Sequence, residues 1–357
     1  MTAYARAEAD VTDKSFLPSI QGLRGVAALS VLIVHLYDMP LLAGFLPRVP
    51  GWFHNTINMG GHGVELFFMI SGFLIPASLV RHASVAKFFY DRALRIMPVF
   101  VVLHLVLFVA GPIVGYKFFK DIDAVSWLGI FVANLLFVPE VLGLPIGQQN
   151  AWTLTYEWAF YIWFAATFMA AAKQRSWLVL LLVVVGFAGI VFRPSAAFFA
   201  VGMLFSAVPI RLSLAGGAGL LAAAICAAAM YVSIEYIHPF IGLLPGLLLF
   251  GMVLAPGSGV AGWLSTPLPQ FLGKISYSLY LVHPFALFPL QMLGARLAAR
   301  GVDPWLLWPA FVVFGFTVSV AAGTLSYEVI ELRLRRLLNS AFRPTLFRPV
   351  EGVERHA

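Results

Sequence analysis

Charged residues and cysteine are both scarce in this chain. Only 11% of its 357 residues are charged and 61% are hydrophobic, whereas about a quarter of the residues in a soluble domain carry charge. The single cysteine, Cys226, leaves no partner for an intrachain disulfide. The composition therefore excludes an ordinary soluble domain and a small fold held together by disulfides.

Several motifs with a known chemistry are also missing. The sequence contains no His-Glu-x-x-His pair, no Cys/His cluster, no glycine-rich phosphate loop and no Gly-x-Ser-x-Gly elbow. We therefore expect no metal site. The net charge of +7 comes from basic residues beside apolar segments, where they report membrane orientation and give no indication of nucleic-acid binding.

Long apolar runs dominate the sequence, and their length and flanking residues predict membrane helices. The run at about 125–138 is the shortest and leads into a loop rich in proline and glycine, which favours a re-entrant or interfacial segment. The predicted fold is thus an all-α polytopic membrane protein with about ten transmembrane helices plus that one short segment. The eleven runs lie at about 20–42, 61–81, 96–115, 125–138, 151–172, 177–192, 195–210, 213–233, 239–255, 273–293 and 305–331.

The distribution of lysine and arginine distinguishes two topologies. If the run at 125–138 does not cross, 16 basic residues face the cytoplasm and 6 face outward, but if it crosses the counts become 9 and 13. The positive-inside bias favours the first topology, with both termini cytoplasmic in a bacterial inner membrane. We predict a polar N-terminus over 1–18 without a cleaved signal peptide, a membrane domain over 19–335 and a basic tail over 336–357.

Two ionisable residues lie within the first apolar segment, Ser19–Leu36. Arg24 and His35 are eleven residues apart, so they share one helix face at a separation of about 16 Å along the axis. An ionisable residue inside a membrane span is costly unless it meets a partner or a polar cavity. The pair therefore predicts a functional site, and a histidine that is simply hydrogen-bonded in a helix bundle is the structural alternative.

Five sequence blocks, taken in order, resemble the acyltransferase-3 family of integral-membrane acyltransferases. The resemblance extends from about residue 16 to residue 335, and it implies a ten-span enzyme that moves an acyl group, usually acetyl from acetyl-CoA, to a hydroxyl of a carbohydrate or another small acceptor. Acyl-CoA is then a co-substrate, and no cofactor is permanently bound. The blocks are SIQGLRGVAALSVLIVHL, GVELFFMISGFLI, FFYDRALRIMPVF, AWTLTYEWAFY and LGKISYSLYLVHPF.

The resemblance implies roles for the residues that match the family motifs. His35 would act as the base or as an acyl carrier, with Arg24 stabilising charge or positioning the donor. Arg92 and Arg95 match the Arg-x-x-Arg pair that would hold the phosphates of coenzyme A, although basic residues at a cytoplasmic boundary can also serve orientation alone. Asp38 could orient the imidazole of His35 or cap the span.

Four further residues are implied as substrate-binding or supporting groups. Glu157 would bind the acceptor or polarise His35. Glu65 would counter an arginine or lie at the outer interface, and Tyr277 would offer a sugar platform or belong to an aromatic belt. His283 precedes a proline that frees a helix carbonyl, and it has a strong structural alternative. Ser71 and Gly72 in the second block are small residues that favour close helix approach. Glu331 lies after the five blocks, in the family's closing motif, where Arg333 replaces the usual proline, so the resemblance assigns no role to that end segment.

The resemblance as a whole implies an O-acyltransferase that acts on a cell-surface polysaccharide or its lipid-linked precursor. Its expected partners are acyl-CoA, a glycan or glycolipid acceptor and membrane lipid. Two alternatives are an acyltransferase that modifies small secreted metabolites and a membrane transporter, since transporters also place charged residues near the midplane.

Overall fold

The computed structural model describes residues 17–346 apart from Ala83 and Asp121. Within these residues every regular element is helical, which confirms the predicted all-α class. Most of the polar N-terminal segment predicted over 1–18, and the tail beyond residue 346, lie outside the described residues.

A helix occupies each of the eleven predicted segments. The structure adds three helices that the apolar runs did not predict, namely the second, eleventh and last in chain order, and a π-helical stretch at Tyr327–Leu334. The helices are α1 (Pro18–Leu42), α2 (Gly51–Asn58), α3 (Gly63–His82), α4 (Val85–Val114), α5 (Ala124–Leu135), α6 (Trp152–Ala172), α7 (Ser176–Phe192), α8 (Ala197–Ala207), α9 (Gly216–Tyr236), α10 (Pro239–Val253), α11 (Gly259–Leu264), α12 (Pro267–Ala299), α13 (Pro304–Ser326) and α14 (Arg335–Leu346).

Six helical segments among the described residues are long and apolar enough to cross a membrane. One of them joins α2, the 3-10 turn at Met59–His62 and α3 into a segment of 32 residues. Helix α5 has only 12 residues, so it is about 18 Å long and falls short of a hydrocarbon core about 30 Å thick. The chain is therefore an integral membrane protein in which α5, like the 11-residue α8, is too short to span the membrane as a single helix.

The helices group into two compact units, each built from separated parts of the chain. One unit contains residues up to 77 and residues 160–276, and the other contains 78–159 and 277–357. Three helices, α3, α6 and α12, therefore contribute one end to each unit.

Small residues allow close backbone contact in the first unit. Gly72 lies against the backbone carbonyl of Phe199, and a Cβ atom at Gly72 would overlap that carbonyl oxygen. The ring of Phe199 stacks on Phe68 at 4.5 Å and on Phe160 at 4.3 Å between centroids. The predicted role of Gly72 in close helix approach is confirmed, because α3 and α8 touch through backbone at this point.

This contact gives a direct test of packing. We expect Gly72→Ala to lower the free energy of unfolding by about 1–3 kcal/mol or more, because overpacking against a rigid backbone carbonyl forces the helices apart. Thermal unfolding of the protein in detergent would measure the loss. Gly189→Ala is the matched control, since Gly189 is also a helix glycine and nothing lies within 4 Å of a Cβ atom placed there. An equal loss in both variants would contradict the packing role.

In the second unit, side chains satisfy carbonyls that prolines leave without a helix donor. Pro284 has no N–H for the carbonyl of Tyr280, and the side-chain amide of Asn150 donates to that oxygen at 2.8 Å. In α4, Pro112 likewise frees the carbonyl of Phe108, which accepts from Trp127 Nε1 at 3.1 Å. Kinks inside an apolar environment are thus tolerated because another segment supplies the missing donor.

The loop that follows α5 is held to the same unit by a buried amide. Asn134 donates to the carbonyls of Ile130 and Pro145, both at 2.9 Å, and accepts from the backbone N–H of Gly147 at 2.8 Å. Gln148 then donates to the carbonyl of Phe100 at 3.1 Å. The segment rich in proline and glycine is therefore a fixed part of the unit that carries α4.

Candidate active site

His35 is half-buried in α1 and its tautomer is fixed by the helix backbone. Nδ1 lies 2.9 Å from the carbonyl oxygen of Val31. A carbonyl oxygen can only accept, so Nδ1 carries the proton and Nε2 is the basic nitrogen of the neutral ring. A neutral imidazole that is anchored through one nitrogen and basic at the other is the form that a general base needs.

Asp38 lies one turn after His35 and interacts electrostatically with two histidines, His35 and His54. The proton on His35 Nδ1 is directed to Val31, so the backbone carbonyl orients the ring and Asp38 adds negative charge nearby. Arg24, on the same helix, is half-buried. The structure thus places Arg24 and His35 on one helix, as the sequence predicts, and adds His54 to their surroundings.

Glu65 is buried at the start of α3, with only 4% of its surface exposed. Its Oε1 accepts from Ser195 Oγ at 2.8 Å, and its Oε2 lies 3.6 Å from His62 Nδ1. Among the described residues of its unit, the partners of Glu65 are thus a serine and a histidine, where the sequence had suggested an arginine or the outer interface.

Arg92 is held at the start of α4 by neighbours from its own hairpin. Its Nη2 donates to Ser78 Oγ at 3.1 Å, and its guanidinium lies 5.8 Å from the centroid of the Phe88 ring. His82 braces the turn between α3 and α4, since its Nδ1 donates to the Ser78 carbonyl at 2.6 Å and its Nε2 lies 2.7 Å from Asp91 Oδ2. The guanidinium of Arg92 is therefore preorganised.

Arg95 is half-buried one turn further along α4, and the next residue is tied to α12. Tyr277 Oη donates to the carbonyl of Ile96 at 2.6 Å. The Tyr277 hydroxyl thus braces the helix that carries the two arginines. Glu157 is half-buried in α6.

His283 is fully buried in α12 and both of its ring nitrogens are engaged. Nδ1 donates to the carbonyl of Leu279 at 2.9 Å, and Nε2 accepts from the amide of Asn150 at 3.3 Å. This geometry favours the structural alternative that the sequence left open for His283. Glu331 is buried in the π-helical stretch and accepts from Ser278 Oγ at 2.9 Å, so the closing motif keeps a buried carboxylate although Arg333 replaces its proline.

The candidate residues fall into two sets, one in each unit. Arg24, His35 and Glu65 belong to the first unit, and the second unit contains Arg92, Arg95, Glu157, Tyr277 and His283. In the described part of the chain, no group of three or more His, Cys, Asp or Glu residues could hold a metal ion.

Four polar residues without a predicted role form two hydrogen-bonded pairs beside the candidate groups. They are His54, Asn58, His62 and Glu235. Three of them recur every four residues just before the second block, on one helix face with Glu65. Such a spacing beside an apolar run is the signal that could have revealed them.

Comparison with known proteins identifies relatives over most of the chain. Acyltransferase MdmB of Streptomyces mycarofaciens is 27% identical over 90% of this chain and 92% of its own length. Exopolysaccharide production protein ExoZ of Rhizobium meliloti is 32% identical over 79% of this chain and 91% of its own length. Peptidoglycan O-acetyltransferase OatA of Listeria monocytogenes is 27% identical over 48% of this chain and 28% of its own length.

No solved structure matches the chain significantly. The family model described as an acyltransferase domain matches residues 17–324, a span that contains every candidate residue named from the five blocks. The chain therefore belongs to the acyltransferase-3 family and is an integral-membrane enzyme that transfers acyl groups.

Proposed function

We propose that the protein transfers an acetyl group from acetyl-CoA to a hydroxyl of a cell-surface polysaccharide or its lipid-linked precursor. The observation that carries this proposal is the anchored tautomer of His35, whose Nδ1 donates to the Val31 carbonyl and leaves Nε2 as the base. Two relatives support a glycan acceptor by their names, an exopolysaccharide production protein and a peptidoglycan O-acetyltransferase.

The reaction needs one proton to move between the two substrates. The acceptor oxygen attacks the carbonyl carbon of the thioester while His35 Nε2 takes the hydroxyl proton. The C–S bond then breaks, the ester is released, and the imidazolium returns the proton to the departing thiolate, so coenzyme A leaves as the free thiol. Arg24 stabilises the negative charge that develops on the thioester carbonyl oxygen.

The donor phosphates are assigned to Arg92 and Arg95. Arg92 and Arg95 are three residues apart, a spacing that places both side chains on one helix face. Their two guanidinium groups can therefore engage neighbouring phosphates. Ser78 and Phe88 hold the guanidinium of Arg92 in place, and this reduces the conformational entropy lost when the donor binds.

The proposed topology has ten crossings with both termini in the cytoplasm of a bacterial inner membrane. It is supported by the excess of lysine and arginine that results on the cytoplasmic side when α5 does not cross. In this topology the Arg92 end of α4 faces cytoplasmic acetyl-CoA, and the His35 end of α1 lies in the outer half of the membrane.

Purified protein in lipid nanodiscs tests the proposal. With radiolabelled acetyl-CoA and lipid-linked glycan from bacterial membranes, we expect base-labile label in the glycan and one equivalent of free thiol for each ester formed. Failure of the protein to bind acetyl-CoA, or release of thiol without label in any hydroxyl acceptor, would overturn the proposed function.

A further inference from the structure

Four polar side chains lie on consecutive turns at the beginning of the second long apolar segment. They are His54, Asn58, His62 and Glu65, separated by four, four and three residues. These spacings place them along one helix face, within the segment Gly51–His82 that is apolar enough to cross a membrane. We call this set the polar stripe. So many polar groups inside a span are costly unless they have a function.

Hydrogen bonds fix the first two members of the polar stripe. The amide of Asn58 donates to His54 Nε2 at 2.9 Å, so the other nitrogen of His54 carries the proton and donates to Tyr37 Oη at 3.0 Å. His54 also interacts electrostatically with Asp38, the carboxylate next to His35. Within this unit, Asp38 therefore interacts both with His54, at the N-terminal end of the polar stripe, and with His35, the proposed catalytic base.

His62, the third member, lies between the buried carboxylate of Glu65 and the exposed carboxylate of Glu235. His62 Nε2 lies 2.9 Å from Glu235 Oε2, and His62 Nδ1 lies 3.6 Å from Glu65 Oε2. The side chain of Glu235 is 39% exposed and that of Glu65 only 6%. The polar stripe thus leads from the protein surface at Glu235 to the buried carboxylate of Glu65.

Two acceptor oxygens in the polar stripe are buried and lack a hydrogen-bond donor. Asn58 Oδ1 and Glu65 Oε2 have no donor within hydrogen-bonding distance among the described protein atoms, and the ion pair of Glu65 with His62 at 3.6 Å is longer than a hydrogen bond. Leaving such atoms unsatisfied costs about 1–3 kcal/mol each, so the polar stripe favours a ligand that supplies donors.

The charge of these surroundings narrows the class of ligand. Asp38, Glu65 and Glu235 are carboxylates, which repel phosphate and carboxylate groups. No cluster in the described residues has the ligands for a metal ion. Sugar hydroxyls remain, since they are neutral and each can donate to a carboxylate or amide oxygen.

We propose that the polar stripe binds the carbohydrate acceptor, with Asn58 Oδ1 and Glu65 Oε2 each accepting from one of its hydroxyls. This inference rests on the proposed function and adds the residues that recognise the acceptor. Glu235 and His62 position Glu65, and His54 positions Asn58.

The test uses purified full-length protein in nanodiscs with acetyl-CoA and a panel of methyl glycosides of glucose, galactose, mannose and N-acetylglucosamine. We expect Asn58→Leu and Glu65→Gln to lower kcat/KM for the preferred glycoside by about tenfold or more, because each loses a hydrogen bond to a substrate hydroxyl. The KM for acetyl-CoA should stay unchanged. Asn55→Leu is the matched control, since Asn55 is an exposed asparagine on the same helix and outside the polar stripe.

Deoxy analogues of the preferred glycoside separate binding from a merely structural role. With the wild-type protein, the kcat/KM for one monodeoxy analogue should be about tenfold lower than for the parent glycoside. With Asn58→Leu, the kcat/KM values for the analogue and the parent glycoside should be equal, because that variant already lacks the hydrogen bond. If every deoxy penalty persists in Asn58→Leu and in Glu65→Gln, or if both variants lower acetyl-CoA binding equally, the inference is overturned. Wild-type protein that binds acetyl-CoA but acetylates no glycoside would overturn the carbohydrate assignment. Wild-type protein that does not bind acetyl-CoA would instead overturn the proposed function.

Discussion

Replacing His35 with alanine is expected to lower acyl transfer by about 10²–10⁴-fold, the range that a general base contributes. The physical reason is that Nε2 is the basic nitrogen of a ring whose other nitrogen is bound to the Val31 carbonyl. Binding of acetyl-CoA should be retained, because the loss concerns the transition state. The measurement is kcat for ester formation together with the equilibrium affinity for acetyl-CoA.

His238→Asn is the control for the His35 variant. His238 is exposed and its side chain accepts from the backbone N–H of Phe240 at the start of α10, a capping role that asparagine can also fill. Its activity should equal that of the wild type. Acid-quenched reactions with labelled acetyl-CoA add a second readout, since label trapped on wild-type protein but not on the His35 variant would indicate an acyl-histidine step. Full activity of His35→Ala would show that the base lies elsewhere.

The double replacement of Arg92 and Arg95 with alanine is expected to raise the KM for acetyl-CoA by about 10²-fold or more. A hydrogen bond to a charged group contributes about 1.5–3 kcal/mol, and two arginines facing phosphates therefore account for a loss of this size. The kcat at saturating donor should change much less. Steady-state kinetics over a wide range of acetyl-CoA concentration would separate the two effects.

Two comparisons show whether the arginines bind phosphate or only set the orientation of the chain. Wild-type protein should bind dephospho-coenzyme A less tightly than coenzyme A, because one phosphate contact is absent. If Arg92 or Arg95 makes that contact, the difference in affinity between the two ligands should shrink when that arginine alone is replaced with alanine. Arg81→Ala, which removes an exposed arginine from the end of α3, should leave donor affinity unchanged. Equal affinities of the double variant and the wild type for coenzyme A would contradict the donor role.

The helical architecture could be predicted because a bilayer requires contiguous apolar segments whose backbone groups bond within the segment. Helix α2 was not predicted because it has only eight residues and contains His54, Asn55 and Asn58, so its composition resembles that of a polar loop. The π-helical stretch at Tyr327–Leu334 has no composition that distinguishes it from an α-helix. Local pattern therefore predicts where helices lie but not how their geometry varies.

For the candidate site, residue types were predictable and their partners were not. Pro284 indicates a carbonyl without a helix donor, that of Tyr280, but the side chain that donates to it, Asn150, is 130 residues away in sequence. In the same way, the second block identifies Glu65 as a carboxylate in an apolar segment, whereas its partner Ser195 belongs to a distant turn. Such contacts depend on tertiary packing, and a single sequence carries no periodicity that reports them.

The bond between Asn150 and the Tyr280 carbonyl also constrains biosynthesis. At about 5–20 residues per second, a ribosome needs roughly 7–26 s to advance from residue 150 to residue 280. During that time the amide of Asn150 lacks its native acceptor. Because one compact unit combines residues 78–159 with 277–357, its first half must wait in the membrane for the end of translation. Membrane insertion factors that shelter polar groups would therefore be needed most in this interval.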